Sequence, residues 1–217
     1  STANVPLRIA YTSRSATPGI STAPVVEEAL NRTVELLRSL GHDVRETRVP
    51  WPAAPDAFLL PFLSGMAREA RSVEHREKLE ARTRQTARMG ENLPALLVKK
   101  ARKRSKAYAD AINERFLRSA HVLLVPTYPV ETVKAGHVRG MSTLQALSAS
   151  SGLVANTAVF NVSGHPALSL PAPVAEGALP IGMQFVTQSG REDLLIALGQ
   201  QIEDACDGWP RLDVSHE

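Results

Sequence analysis

"HVLLVPTYP" (residues 121–129) is a continuous apolar run closed by prolines. It does not alternate between apolar and polar residues. A run of this kind suits a strand covered on both faces in the middle of a sheet. What flanks it then sets the fold class. Upstream, "LRIAY" (7–11) reads as a buried strand, and the Ser/Thr/Pro/Gly-rich "TSRSATPGISTAP" (12–24) as a loop. From Pro24 the pattern turns helical. Val26, Ala29, Leu30, Val34, Leu37 and Leu40 recur at three- and four-residue spacing, with Pro24 in the first turn and Gly41 just past the end. "HDVRETRVP" (42–50) follows as a second short strand. Strand, helix and strand make a right-handed βαβ unit, with its two strands parallel.

The stretch between these strands and the central run is helical in character. "WPAAPDAFLLPF" (51–62) holds three prolines and reads as a loop leading into a helix. Residues 63–118 contain only Pro94, Gly65 and Gly90 as breakers, so two or three helices fit. In the last of them Leu97, Ala101, Tyr108, Ile112 and Phe116 form one apolar stripe on an otherwise charged surface. Beyond the central run, "STLQALSASSGLVANTAVFN" (142–161) is a weaker helical segment. "PALSLP" (166–171) and "PIGMQFV" (180–186) read as a hairpin, and residues 191–206 as a closing helix with Leu194, Leu195, Leu198 and Ile202 inward. The fold class is α/β: a mixed, mostly parallel sheet flanked by helices, with a C-terminal β-hairpin and helix.

Composition narrows the class of molecule. The chain has 217 residues, 43% hydrophobic and 22% charged, as expected of one packed domain spanning 1–217. The lone Cys206 cannot form an internal disulfide, which points to a reducing, cytoplasmic setting. No apolar run reaches the roughly 20 residues a membrane-spanning helix needs, and no basic-then-apolar leader opens the chain. The net charge of +3 conceals an asymmetry, because residues 68–118 hold 15 Lys/Arg against 7 Asp/Glu while the rest hold 10 against 15.

Several chemistries lack their motifs. No two glycines stand two apart, so a G-x-G-x-x-G loop is excluded, and no Gly-Lys pair exists for a phosphate-binding loop. G-x-S-x-G, S-x-x-K and H-E-x-x-H are also missing. The six histidines show no ligand spacing and read as surface or cap residues, so no metal and no cofactor is assigned.

Taken in order, "LRIAYTSR", "LGHDVRE", "VLLVPTYP", "FNVSGHPALSLP" and "LPIGMQFVTQSGREDLLIALGQQIE" resemble the C-terminal half of the amidase signature family. The likeness runs from Leu7 to Trp209. It implies a mixed sheet flanked by helices and hydrolysis of carbon–nitrogen bonds in a small-molecule amide. Relatives place an Asn-x-x-Gly-x-Pro turn, matched by Asn161, Gly164 and Pro166, before a core strand near the substrate side. With Thr127, Tyr128 and Pro129, which follow the central strand, Asn161 and Gly164 are the expected substrate-pocket residues. Branches that amidate charged tRNA carry an acidic residue where this chain has Val154 or Asn156, so the resemblance favours a stand-alone amidase.

The family's Ser-Ser-Lys triad belongs to its N-terminal half, and this sequence has neither the Gly/Ser-rich signature nor the upstream lysine. "SASSG" (148–152) lies after the strand motifs and lacks the flanking glycine pairs. No catalytic residue is therefore assigned. The expected partner is an N-terminal amidase half carrying the triad, and the chain alone is expected to be inactive. A sheet cut through its middle would also leave an unpaired edge open to self-association. The alternative is a non-catalytic scaffold domain that uses the basic segment "VKKARKRSK" (98–106) to contact an acidic partner or nucleic acid. Nucleic acid is disfavoured, since Tyr108 is the only aromatic residue nearby.

Overall fold

The apolar run becomes the centre of a five-stranded sheet. A computed structural model describes residues 5–48, 50–52, 55–173 and 179–206. In chain order the strands are β1 (Arg8–Tyr11), β2 (Asp43–Glu46), β3 (Val122–Pro126), β4 (Ala167–Pro171) and β5 (Gly182–Val186). The helices are α1 (Pro24–Ser39), α2 (Pro55–Ser72), α3 (Ala81–Glu91), α4 (Ala95–Ile112), α5 (Thr143–Ala149), α6 (Ser151–Val154), α7 (Thr157–Ser163) and α8 (Glu192–Ala205). Across the sheet the strands run in the order β2-β1-β3-β5-β4. β1 is parallel to both β2 and β3, whereas β5 is antiparallel to both β3 and β4. Four strands thus point one way and only β5 opposes them. The α/β class, the parallel βαβ unit and the antiparallel C-terminal pair all match the sequence reading; the link between β4 and β5 falls partly on 174–178, outside the described residues.

All five residues of β3 are buried, because its alternate side chains feed two different cores. Val122 and Leu124 join Leu30, Val34, Met183, Phe185 and Leu198 under α1 and α8. Leu123 and Val125 join Ile112, Phe116, Phe160 and Val186 on the opposite face. Each apolar side chain so buried contributes roughly 1.5–3 kcal/mol. A continuous apolar run, not an alternating one, is what two covered faces require.

Some details refine or depart from the sequence reading. The loop of residues 51–62 leads into a helix as read, and the helix begins early in it: α2 starts at Pro55, where a missing N–H costs nothing, and it carries Pro61 in its interior with the loss of one helical bond. In α4 the buried positions are Val98, Ala101, Tyr108 and Ile112, while Leu97 is 45% exposed. Leu97 lies about 100° around the helix from Val98, off the true 3.6-residue stripe. A π-helical turn (Asn113–Leu117) then extends α4 and brings both Phe116 and Leu117 inward. The weak helical segment is three short helices, α5, α6 and α7. The histidines are not all surface residues: His42 and His165 are buried, and His42 and His121 accept the backbone N–H groups of Leu7 (3.2 Å) and Arg8 (3.1 Å).

Gly90 sets how closely α3 approaches α2. A β-carbon there would lie 1.9 Å from the Leu63 carbonyl oxygen and 2.5 Å from its carbon, both backbone atoms that cannot swing aside. Gly65, also helical, has nothing within 4 Å of the same position. Gly90→Ala should therefore destabilise the chain by about 1–3 kcal/mol through overpacking. Gly65→Ala should stabilise it by up to about 1 kcal/mol through lower chain entropy. Urea unfolding of the two variants checks both signs.

Burial also gives the fold a pH dependence. It lowers the pKa values of His42, His121 and His165 from 6.5, partly opposed at His42 by a hydrogen bond to Gln201 and reinforced at His121 by Arg8 and Arg191. In each case the unfolded chain takes up a proton more readily than the folded one. Stability is thus full above about pH 6.5 and falls as the pH drops below it. Glu91, held below its usual 4.5 chiefly by its bond from Arg76, adds a further loss only in stronger acid. Urea midpoints should fall between pH 7.5 and 5.5, and fall less in His165→Gln.

Candidate functional site

Ligands of open α/β sheets gather at the carboxyl ends of strands whose connections leave to opposite faces. This sheet has such a point between β1 and β3. The chain leaving β1 passes through α1 on one face, and the chain leaving β3 reaches α7 on the other. The loop after β1 is tied down there: the Thr12 N–H donates to the Leu124 carbonyl (3.2 Å), and the Ala23 N–H to the Pro129 carbonyl (2.8 Å).

Asn156 closes the arrangement. It is fully buried, its Nδ2 donates to the Pro126 carbonyl at 2.7 Å, and its Oδ1 accepts the Ala16 N–H at 3.0 Å. The Thr17 hydroxyl donates to the neighbouring Ala155 carbonyl at 3.1 Å. One carboxamide thus joins the loop after β1, the end of β3 and the start of α7. Nothing local in the sequence marks Asn156, because its partners lie 30 and 140 residues away.

Beside this junction, on the α1 side, a cleft of about 320 Å³ opens between α1, the segment after β3 and the start of β5. That is the lower end of the size range of small-molecule pockets. Its wall is largely apolar, from Val25, Ala29, Val130 and Ile181, with Glu28, Arg32 and Glu131 among its polar residues. Arg32 pairs with Glu28. Tyr128 lines the cleft and is 47% exposed.

The five expected pocket residues divide between two ends of the sheet. Thr127, Tyr128 and Pro129 follow β3 at the junction. Gly164 precedes β4 at the opposite end, since Ala167 lies across from Val186 and Pro171 across from Gly182, which accepts the Thr127 N–H at 2.8 Å. About 13 Å of strand separates the two ends. Asn161 is an exposed residue within α7, and Gly164 ends that helix in the left-handed region (φ 72°). The Asn-x-x-Gly-x-Pro motif is therefore a helix end, with Gly164 at the position that a β-carbon would strain.

The face of the sheet opposite the cleft adds a polar row that the sequence did not reveal. Thr127 Oγ1 and Ser169 Oγ are 2.6 Å apart, over Gly182, where a β-carbon would lie 2.9 Å from Thr127 Oγ1 and 3.1 Å from Ser169 Oγ. Directly across from Ser169 stands Gln184, 4% exposed, whose Oε1 has no hydrogen-bond partner. Ser169 and Ala167 are exposed on β4, an edge strand paired only with β5.

These groups can bind and orient a polar molecule. Among the described residues no histidine or lysine is hydrogen-bonded to the Thr127 or Ser169 hydroxyl. All six lysines, at 78, 99, 100, 103, 106 and 134, are exposed to water. A Ser163–His165–Asn113 array does exist, with 2.8 Å and 3.0 Å contacts to the two ring nitrogens. Ser163, however, is the last residue of α7, where the helix presents carbonyls and no N–H donors for an oxyanion. Among the described residues no group of His, Cys, Asp or Glu could hold a metal ion, and no helix is long and apolar enough to cross a membrane.

The Asn156 junction makes a direct prediction. Asn156→Ala strands a buried carbonyl and a part-buried N–H, each costing about 1–3 kcal/mol. The variant should unfold at clearly lower urea, whereas Asn161→Ala should leave the midpoint nearly unchanged.

Comparison with known proteins places this architecture. The Amidase family model matches residues 1–196. AmiC of Mycobacterium leprae (strain TN), named as an amidase, is 32% identical over 222 residues, covering 96% of this chain and 45% of AmiC. AmiB2 of Mycobacterium tuberculosis (strain ATCC 25618 / H37Rv), also named as an amidase, is 30% identical over 201 residues, covering 92% of this chain and 43% of AmiB2. The chain thus spans slightly under half the length of these relatives. The structure of a 6-aminohexanoate cyclic dimer hydrolase complexed with substrate superposes with a TM-score of 0.74 at 23% identity, over 94% of this chain and 46% of that one, and so shares the fold. With a family model matched over residues 1–196 and relatives aligned over more than nine-tenths of this chain, the chain belongs to the amidase signature family.

Proposed function

We propose that the chain is the C-terminal part of an amidase that hydrolyses carbon–nitrogen bonds, and that it supplies sheet and substrate pocket while the nucleophile and its base come from the rest of the enzyme. The observation that carries this reading is the unfinished edge of the sheet. β4 pairs on one side only, exposes Ala167 and Ser169, and lies beside a buried Gln184 carbonyl with no donor. An orphan acceptor of that kind costs about 1–3 kcal/mol until a donor reaches it. A complementary portion added along β4 would supply both the missing strand partner and that donor. The relatives' lengths agree, since this chain matches 45% of AmiC.

The lysines favour the same division of labour. A triad base of this family is a lysine shielded from water, and every lysine here is exposed. Thr127, Tyr128 and Pro129 belong to the substrate pocket in this reading. Asn161 and Gly164, at the far end of the sheet, would reach substrate only through elements that the complementary portion brings. The substrate is a small amide.

Turnover of simple amides and p-nitroanilides tests the proposal. The chain alone should give none, and mixing it with a separately produced complementary portion of an amidase relative should restore it. Robust turnover by the chain alone would overturn the reading.

A further inference from the structure

The basic segment has a structural role that the amidase reading does not use. Lys99 and Arg102, one helical turn apart on α4, line a cleft of about 360 Å³ between α2, the end of α3 and the start of α4. Arg71 enters it from α2, and Ser64 adds a hydroxyl. One carboxylate, Glu91, is also in the wall. It is already engaged, 2.7 Å from Arg76 and 3.7 Å from Arg71. Lys99 and Arg102 have no hydrogen-bond or ion-pair partner among the described residues. Counting Arg71, Arg76, Lys99 and Arg102 against Glu91, the cleft and its rim carry a local excess of positive charge.

We infer that this cleft binds a small, multiply charged oxyanion of the phosphate class. Three features select that ligand. A cleft lined by Arg71 of one helix and by Lys99 and Arg102 of another suits a compact anion with several acceptor oxygens. The volume is about ten times a water's share of the liquid, enough for two linked phosphate groups. The walls are also fixed, since Gly90, which lines the cleft, holds α3 against the backbone of α2. Nucleic acid fits less well. The one aromatic side chain of α4, Tyr108, is buried, so the helix offers no surface for stacking bases. The site lies on the α2–α4 helical layer, formed by residues other than those of the junction between β1 and β3, and it does not depend on the amidase reading.

Calorimetric titration of the whole chain with pyrophosphate, at constant ionic strength, tests this inference. Saturable one-to-one binding is expected, weaker for inorganic phosphate. Lys99→Ala combined with Arg102→Ala should weaken it at least tenfold, and so should Arg71→Ala. Lys103→Ala combined with Lys106→Ala removes the same charge from α4 outside the cleft wall and should change affinity by less than twofold. Thermal melts followed by circular dichroism show that each variant is folded. The inference fails if pyrophosphate does not saturate, if the Lys103/Lys106 pair costs as much as the cleft pair, or if single-stranded DNA binds more tightly than pyrophosphate at the same phosphate concentration.

Discussion

Everything in this molecule is arranged about β3, whose side chains must satisfy two cores at once. Val122 and Leu124 face α1 and α8, and Leu123 and Val125 face α4 and α7. The strand is also where the sheet changes character, being parallel to β1 on one side and antiparallel to β5 on the other. On its β1 side the strand also borders the point where the chain connections diverge. Because the chains leaving β1 and β3 depart to opposite faces, their carboxyl ends part and leave a crevice, and the pocket wall and the Asn156 junction both form there. A residue that weakened β3 would disturb both cores and the site together.

The two sides of the sheet are finished differently. On the cleft side, α1 and α8 cover an apolar surface completely enough that Leu168 and Leu170 of the edge strand also pack against it. On the other side, toward β4, the covering stops short, and a hydroxyl pair, a bare glycine and a buried carboxamide oxygen without a partner are left at the border. Buried polar groups are rarely left unmatched in a finished protein. The chain spans slightly under half the length of the relatives it matches, and the proposed function places a complementary portion at this border.

The helical layer of α2, α3 and α4 follows separate rules. Its position depends on one close backbone approach at Gly90 and on a π-helical turn that redirects Phe116 and Leu117 into the core. Three of its basic residues, Arg71, Lys99 and Arg102, line one concavity, and that shape, more than the number of basic residues, underlies the inference of a small anion.

The sequence by itself determined the strands, the long helices and the family. Those properties depend on spacings of two to four residues, on punctuation by Pro and Gly, and on the order of short motifs, all of which are local. Leu97 was placed on the buried stripe for a related reason: local signals rank possibilities, and tertiary packing chooses among them. Only the tertiary structure decided which residues share a site. It put Thr127 to Pro129 at one end of the sheet and Gly164 at the other, and it singled out Asn156, Ser169, Gln184 and Gly90. Their roles come from strand register and helix docking across separations as large as 140 residues, which no local pattern encodes.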